Sequence, residues 1–457
     1  MPKEFRYKML VYPNITKSGK EITKDSYIVL LPDVIESLLK INKKLHITLL
    51  LPTNVKRDVR IRELFKDKRY KSSIDFKPFD VPSSNNSMRT SFFFNSQTFL
   101  DAIDYRKNDY DIVYSHLPEH TLGLSNLFNN ATQSRPKFIG YCHWFETSKS
   151  VGFTKTMLLQ NFAGILEMEQ CGVNSKWLKD YVLKEAKRWF NDDIINQLDT
   201  IIQPHQLGID SIDFQTKIPK KKTILFNHRK GTYTGFTDFC KAMEKLWKKR
   251  KDFEVITTFD ECDISKYKWN GGKWGSPNRE VYLNTLKEKV YVGVGYFKNY
   301  SAWSLSAMDG LSRGVPYILP DKLCYDEMVG DDYPLMYKHK KEDDFLRVLE
   351  MVLDEPKIRT EAVKKITPKI KKMKWLPQIK RWMDWDDLFN PHNFAMVAET
   401  PKYKEMVKII KNHKRISRYE LITKKNWGPQ IPVGRYRNRL RLDKRVKFLK
   451  DGYEWVG

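Results

Sequence analysis

The sequence predicts an α/β protein with two doubly wound, Rossmann-like domains and a small C-terminal domain of winged-helix type. Three observations carry that expectation. Runs rich in Val, Ile, Leu and Tyr alternate with amphipathic helical stretches over residues 6–355, the pattern of buried parallel strands joined by helices. The series pauses near residue 210 and starts again at KKKTILFNHR. From residue 401 the chain changes character, with 17 Lys or Arg against 5 Asp or Glu in an eighth of its length.

In the first domain, RYKMLVY (residues 6–12) reads as a strand, IVLLPDVIESLLKINKK as a helix and LHITLLLP (45–52) as a second strand, which makes a βαβ unit. YDIVYSHLPEH and KFIGYCHWFETS each read as a strand running into a loop. GILEMEQCGVNSKWLKDYVLKEA reads as a short strand, a Ser-Lys turn and an amphipathic helix, and TIIQPHQLGID as a last strand ending in a glycine turn. The second domain repeats the pattern: TILFN, a loop with Gly231 and Gly235, the helix FTDFCKAMEKLWKKR, and the strand FEVITTF. KVYVGVGYF, the helical SLSAMDGLSRG, VPYILP and a final strand and helix through PLMYKHKKEDDFLRVLEMVLDE follow. The Trp-rich segment 369–394 is expected to return to the first domain. The predicted boundaries are 1–208, 209–395 and 400–457.

Composition bounds the rest. The chain has 457 residues, 41% hydrophobic and 30% charged, with no run of eighteen apolar residues, so no transmembrane helix is expected. MPKEFRYKMLVYPN lacks the apolar core of a signal peptide, which predicts a cytoplasmic protein. Five dispersed cysteines without a CxxC pair predict reduced thiols and no zinc site. A net charge of +26 favours polyanionic partners.

In doubly wound domains ligands bind at the carboxyl ends of the strands. There the first domain places Asn14 and Lys17–Lys20, His116, Glu119 and His120 in one loop, His143 and Glu146, and Asn174–Lys176. The second places His228–Gly231 and the region 299–309. Tyr267, Trp269 and Trp274 lie in a predicted loop, where they either stack on a base or pack locally. His-x2-Glu-His is compact, but no third cluster accompanies it, and no metal site is predicted.

Four segments then resemble a GT-B glycosyltransferase of the retaining, nucleotide-sugar kind: GVNSKWLKD, HQLGID, ILFNHRKGTYTGFTDF and YSAWSLSAMDGLSRGVPYILPD. The resemblance covers about residues 6–355. It implies that Arg229 and Lys230 meet the donor diphosphate, where a guanidinium fork matches phosphate oxygens. Asp309 falls on the second carboxylate of that family's Glu-x7-Glu pair, which accepts ribose hydroxyls. Ser301 falls on the first and is not a carboxylate. Ser301, Ser304 and Ser306 would donate at a helix start. His143 would lie over the sugar, with Glu119, His116 and His120 towards the acceptor. The implied donor is a UDP-sugar, with no obligatory metal. The leaving diphosphate itself would help to deprotonate the acceptor, while the protein stabilises its charge.

The tail reads as three helices and a hairpin. Tyr403, Met406, Val407 and Ile410 have helical spacing, Ser417 and Glu420 form a capping box, VGRYRNRLRLD is a third helical piece, and Asp451-Gly452 marks a hairpin turn. Arg435, Arg437, Arg439 and Arg441 on the third helix, with Lys444, Arg445 and Lys447 on the hairpin, are the predicted DNA contacts. A nucleotide-sugar transferase with such a tail resembles the bacteriophage DNA base glycosyltransferases. That resemblance implies glucose or arabinose transfer to a hydroxymethylated pyrimidine in duplex DNA, with hydroxymethylcytosine the leading acceptor, and protection from restriction. A monomer is expected, and no membrane partner, because the chain shows basic stretches and no amphipathic apolar face. Two alternatives stay open: a tRNA base glycosyltransferase, since Asn227–Arg229 is similar to the NHR of queuosine mannosyltransferase-like proteins, and a non-enzymatic DNA-binding sensor of sugar nucleotides.

Overall fold

The computed structural model describes residues 7–13, 26–52, 72–79, 96–105, 108–132, 136–143, 145, 155–209, 211–276, 278–382, 401–423, 433–449 and 451–457. They form two compact units. One comprises Met1–Val173, Tyr181–Gln203 and Ile379–Gly457, the other Asn174–Asp180 and Pro204–Gln378.

The first unit is built on a seven-stranded sheet. Its strands are β1 (Tyr7–Tyr12), β2 (Leu45–Pro52), β3 (Ile74–Phe79), β4 (Ile112–Ser115), β5 (Lys137–Cys142), β6 (Gln170–Val173) and β7 (Ile202–Pro204), in spatial order 3-2-1-4-5-6-7. The pairings from β3 across to β6 are parallel. Both faces are covered, so β1 and β4 are buried along their whole length. Helices α1 (Ser26–Ile41), α2 (Ser96–Ile103), α3 (Pro118–Leu127), α4 (Lys155–Leu166), α5 (Lys176–Ala186) and α6 (Asp192–Ile201) supply the crossovers. The strand order reverses between β1 and β4, and that is where a doubly wound sheet opens a crevice.

Two expectations change here. Glu119 and His120 do not sit in a loop. Pro118 opens α3 at its first position, where a missing N–H costs nothing, and both residues fall in its first turn. The segment 200–210 is not one long strand: Thr200 and Ile201 end α6, β7 is only three residues long, and residues 205–208 are irregular.

The second unit holds a six-stranded sheet of β8 (Lys222–Phe226), β9 (Phe253–Thr257), β10 (Asn270–Lys273), β11 (Val292–Val294), β12 (Tyr317–Pro320) and β13 (Met336–Tyr337), in order 10-9-8-11-12-13. All its pairings are parallel. The crossovers are α7 (Phe236–Lys249), α8 (Arg279–Lys289), α9 (Leu305–Leu311) and α10 (Tyr325–Val329), and α11 (Glu342–Asp354) and α12 (Pro356–Lys371) follow the last strand. Trp269 is no free stacking platform. It is 1% exposed, lies against Tyr267 with ring centroids 4.4 Å apart, and donates its indole N–H to Glu244 at 2.6 Å. Helix α13 (Trp375–Trp382) carries the chain back: the unit boundary falls at Gln378/Ile379, and Trp382 packs on Tyr114 and Tyr141 of the first sheet.

The tail consists of α14 (Pro401–His413), β14 (Arg415–Ser417), α15 (Arg418–Thr423), α16 (Val433–Leu442), β15 (Val446–Phe448) and β16 (Gly452–Trp455). Its strands form an antiparallel sheet in order β14-β16-β15. Tyr403, Met406, Val407 and Ile410 enter one apolar core with Leu421, Tyr436, Leu440, Phe448 and Tyr453. The capping box is present: Glu420 N donates to Ser417 Oγ at 3.1 Å, and Ser417 N donates to the Glu420 carboxylate at 2.9 Å. The hairpin reverses between Leu449 and Gly452, whose backbone groups bond at 2.9 Å, one residue earlier than the Asp-Gly pair predicts.

The tail belongs to the same compact unit as the first sheet and is joined to it by two buried ion pairs. The Arg418 guanidinium donates to both oxygens of Asp109 at 2.6 Å, with both side chains at most 4% exposed. Arg441 pairs with Asp111, with side chains 0% and 4% exposed, and lies 4.9 Å from the Tyr7 ring centroid.

Candidate functional site

In the second unit the predicted donor-side residues lie on the segments that follow β8 and β11, which are neighbours in the sheet. Asn227 ends β8 and ties it to α9. Its amide donates to the Ser306 carbonyl at 2.8 Å and to Tyr282 Oη at 2.9 Å, and its oxygen accepts from Tyr317 Oη at 3.2 Å. His228 follows, buried, with Nε2 2.9 Å from the Val294 carbonyl. A carbonyl only accepts, so Nε2 carries the proton. Burial brings its pKa down to about 4, and the ring is neutral at physiological pH.

Arg229 and Lys230 then emerge, both exposed. Their loop is held by Thr234, whose hydroxyl lies 2.8 Å from the Arg229 carbonyl and accepts from Gly231 N at 3.1 Å. Gly235 closes the loop at φ 68°, a left-handed conformation that suits a residue without Cβ, and α7 starts behind it. Two cations are thus presented on a backbone tied at both ends.

Ser301 and Ser304 are buried. Ser301 Oγ lies 3.0 Å from Tyr325 Oη, and Ser304 caps α9 by accepting from Ala307 N at 3.2 Å. Both hydroxyls therefore hold the loop together. Asp309 is engaged as well: its two oxygens each accept from Arg279 at 2.7 Å. Arg279 thereby fixes the orientation of the carboxylate. Arg279 escaped sequence reasoning because it is thirty residues away with no motif around it.

Glu327 was also not foreseen. It accepts the backbone N–H groups of Lys176 and Trp177, each at 2.7 Å, at the start of α5, a helix end that favours negative charge. Burial pushes its pKa up, against the lowering effect of those two N–H donors.

In the first unit, His116, Glu119 and His120 converge on Tyr12 at the β1/β4 switch point. His120 Nδ1 lies 2.9 Å from Tyr12 Oη, and His116 N donates to the Tyr12 carbonyl at 2.9 Å. Burial, and secondarily the Glu119 charge, raise the Tyr12 pKa. His116 packs edge-on against Tyr114 at 4.1 Å, and burial lowers its pKa to about 3. It is a neutral core imidazole, a poor proton acceptor near neutral pH. Glu119 is buried and His143 half-buried just past β5. Asn14, Lys17–Lys20, Trp144 and Glu146 lie outside the described residues.

In the tail, Arg441 is withdrawn from any nucleic-acid surface, because its charge is neutralised by Asp111 inside the protein. Arg439 is half-buried over the Tyr403 ring at 5.9 Å. The side chains of Arg435 and Arg437 lie outside the described residues. Lys444 and Arg445 are exposed. Arg445 forms two bonds of 2.8–2.9 Å to Asp443 and holds that carboxyl below its usual range. Lys447 is half-buried, 3.5 Å from Glu454.

Among the described residues no cluster of His, Cys, Asp and Glu is arranged to hold a metal ion, and no helix is long and apolar enough to cross a membrane. The five cysteines are buried and form no disulfide.

No protein-family model and no curated protein matches the sequence. Solved structures do match in fold. Sucrose-phosphate synthase from Thermosynechococcus elongatus aligns with TM-score 0.59 and 10% identity over 88% of this chain and 100% of that one. TarM of S. aureus, in a complex that includes UDP, aligns with TM-score 0.58 and 11% identity over 85% and 100%. HepE of Anabaena, in complex with UDP and glucose, aligns with TM-score 0.57 and 10% identity over 82% and 98%. With its seven- and six-stranded parallel sheets, the chain has the GT-B fold of these glycosyltransferases.

Proposed function

We propose that the protein is a glycosyltransferase that moves a sugar from a UDP-sugar to the hydroxymethyl group of a modified pyrimidine, hydroxymethylcytosine foremost, in duplex DNA. The observation that carries this reading is the combination of a GT-B body with a basic tail built into its first unit by two buried Arg–Asp pairs. Helix, strand, helix, helix, strand, strand is the connectivity of a winged helix, a DNA-binding form. The solved HepE complexes contain UDP and UDP-glucose, which supports a UDP-sugar as donor here.

On this reading Arg229 and Lys230 receive the diphosphate as the glycosidic bond to the donor breaks, and negative charge grows on the leaving oxygens. The acceptor oxygen forms the new bond to the sugar, and its proton passes to the departing diphosphate. The anomeric configuration is retained. Asp309, held by Arg279, faces the ribose hydroxyls. Glu119 and His143 belong to the acceptor side. The base leaves the duplex to reach them.

The test is label transfer from UDP-glucose and UDP-arabinose to duplexes containing hydroxymethylcytosine, hydroxymethyluracil or cytosine. Label in a hydroxymethylated duplex alone supports the reading, and label in tRNA but in no DNA replaces it with the tRNA alternative. One observation favours a second reading, a DNA-binding sugar-nucleotide sensor: a serine, Ser301, stands where the related enzymes carry a carboxylate. Binding of UDP-sugar without turnover on any acceptor would establish that reading instead.

A further inference from the structure

We propose that the tail grips duplex DNA through a lysine stripe on its first helix, by phosphate contacts that are independent of base sequence. The proposal rests on the reading of DNA as acceptor and names the surface that holds it.

Lys404, Lys408 and Lys411 occupy positions i, i+4 and i+7 of α14 and are all exposed. That spacing places them on one face, along about 10 Å of helix. Lys414 and Arg415 continue the exposed positive surface onto β14. Lys404, Lys408, Lys414 and Arg415 have no carboxylate partner within ion-pair distance among the described residues, unlike Arg445 and Lys447 on the hairpin. Trp455 N donates to the Lys414 carbonyl at 2.7 Å, and the Trp455 ring lies between Lys411 and Arg445, at 5.8 and 5.4 Å. The stripe and the hairpin edge are therefore one continuous basic surface around a half-buried aromatic ring.

Three features select the occupant. The opposite face of α14, Tyr403, Met406, Val407 and Ile410, is consumed by the tail's own core. No apolar face remains on this helix to enter a membrane, which a basic interfacial helix needs. Lysines are point charges that suit phosphate oxygens, whereas reading base edges favours the planar fork of arginine. The arginines whose side chains are described on α16 are turned to other work, Arg441 to Asp111 and Arg439 to the Tyr403 ring. The buried pairs Arg418–Asp109 and Arg441–Asp111 fix this surface on the sheet that bears the acceptor-side residues. A clamp without sequence preference leaves selection of the modified base to the transfer site.

The test uses the full chain with K404Q/K408Q/K411Q, and K248Q/K357Q/K364Q in the second unit as the control for reduced charge. Duplexes of several sequences are titrated between low and moderate salt. Each phosphate that no longer meets a lysine reduces the magnitude of the negative slope of log K against log salt by about 0.9, so in the stripe variant that magnitude is expected to fall by about 3, equally on every sequence. The control variant is expected to keep the wild-type slope. An unchanged slope in the stripe variant, or a fall confined to particular sequences, overturns the proposal. Sugar transfer measured in parallel separates the two readings: a duplex gripped through the stripe but never glycosylated removes the transferase and leaves the clamp. A wild-type protein that binds no duplex removes both.

Discussion

Replacing Arg441 with methionine tests how the tail is held. The guanidinium is fully buried, paired with Asp111 and lying over Tyr7. Asp111 also accepts Lys8 N of β1 at 2.7 Å, so one carboxylate anchors the sheet and the tail together. Arg441→Met keeps the apolar stem and deletes the charge that faces the buried Asp111 carboxylate. Breaking a buried pair from one side costs about 3–5 kcal/mol. The ring contact is part of that figure, since interactions sharing one group do not add. The chain has two compact units and no single unfolding free energy, so the assay has to be local. Hydrogen exchange at the Val446–Phe448 and Gly452–Trp455 strands reads the undocked state directly. A loss of 3–5 kcal/mol corresponds to roughly 10²–10⁴ in protection. Protection within tenfold of wild type would refute the argument. Adding Asp111→Asn restores most of the loss if stranded charge is its cause. A double variant as weak as the single one would show that packing, not charge, holds the tail.

Arg229→Ala removes an exposed side chain from a loop tied by Thr234, so folding is expected to be unaffected while the rate constant for transfer falls about 10²–10³-fold. Duplex affinity should stay within twofold, and surviving transfer would mean that the diphosphate lies elsewhere. His228 predicts a pH dependence. Its folded pKa of about 4 lies below the unfolded 6.5, so its stabilising contribution is complete above pH 6.5 and is lost as pH falls towards 4, by about 3 kcal/mol in all. His228→Gln should flatten the stability profile in that window, and an equally steep profile would contradict the assignment. Gly235→Ala places a side chain at φ 68° against the Tyr296 carbonyl, which costs at least about 1–2 kcal/mol and loosens the Arg229–Thr234 loop. A variant with wild-type melting temperature and wild-type UDP-sugar binding would show that the loop needs no glycine there.

Local chemistry was legible in the sequence because its causes are local. The buried strands β1, β2, β8 and β9 are short apolar runs, and the tail helices show their 3.6-residue spacing and the Ser417–Glu420 capping box within a few residues. The sequence also placed Arg229 and Lys230 after a strand and at the start of a basic loop. Elements without such a signal went unseen. Strand β3 is an edge strand with Lys77 and Pro78 in it, half-exposed in the middle, and β10 is the polar Asn270–Lys273, paired on one side only. Tertiary structure alone decided which charges face water. Four alternating arginines look alike in sequence, yet Arg441 is inside because Asp111, some 330 residues earlier, meets it there. In the same way Arg279 claims Asp309, Glu327 caps a helix from 150 residues away, and burial turns His116 into a neutral core ring. Charge and periodicity are properties of the chain, whereas desolvation and pairing depend on the fold that brings distant groups within 3 Å of each other.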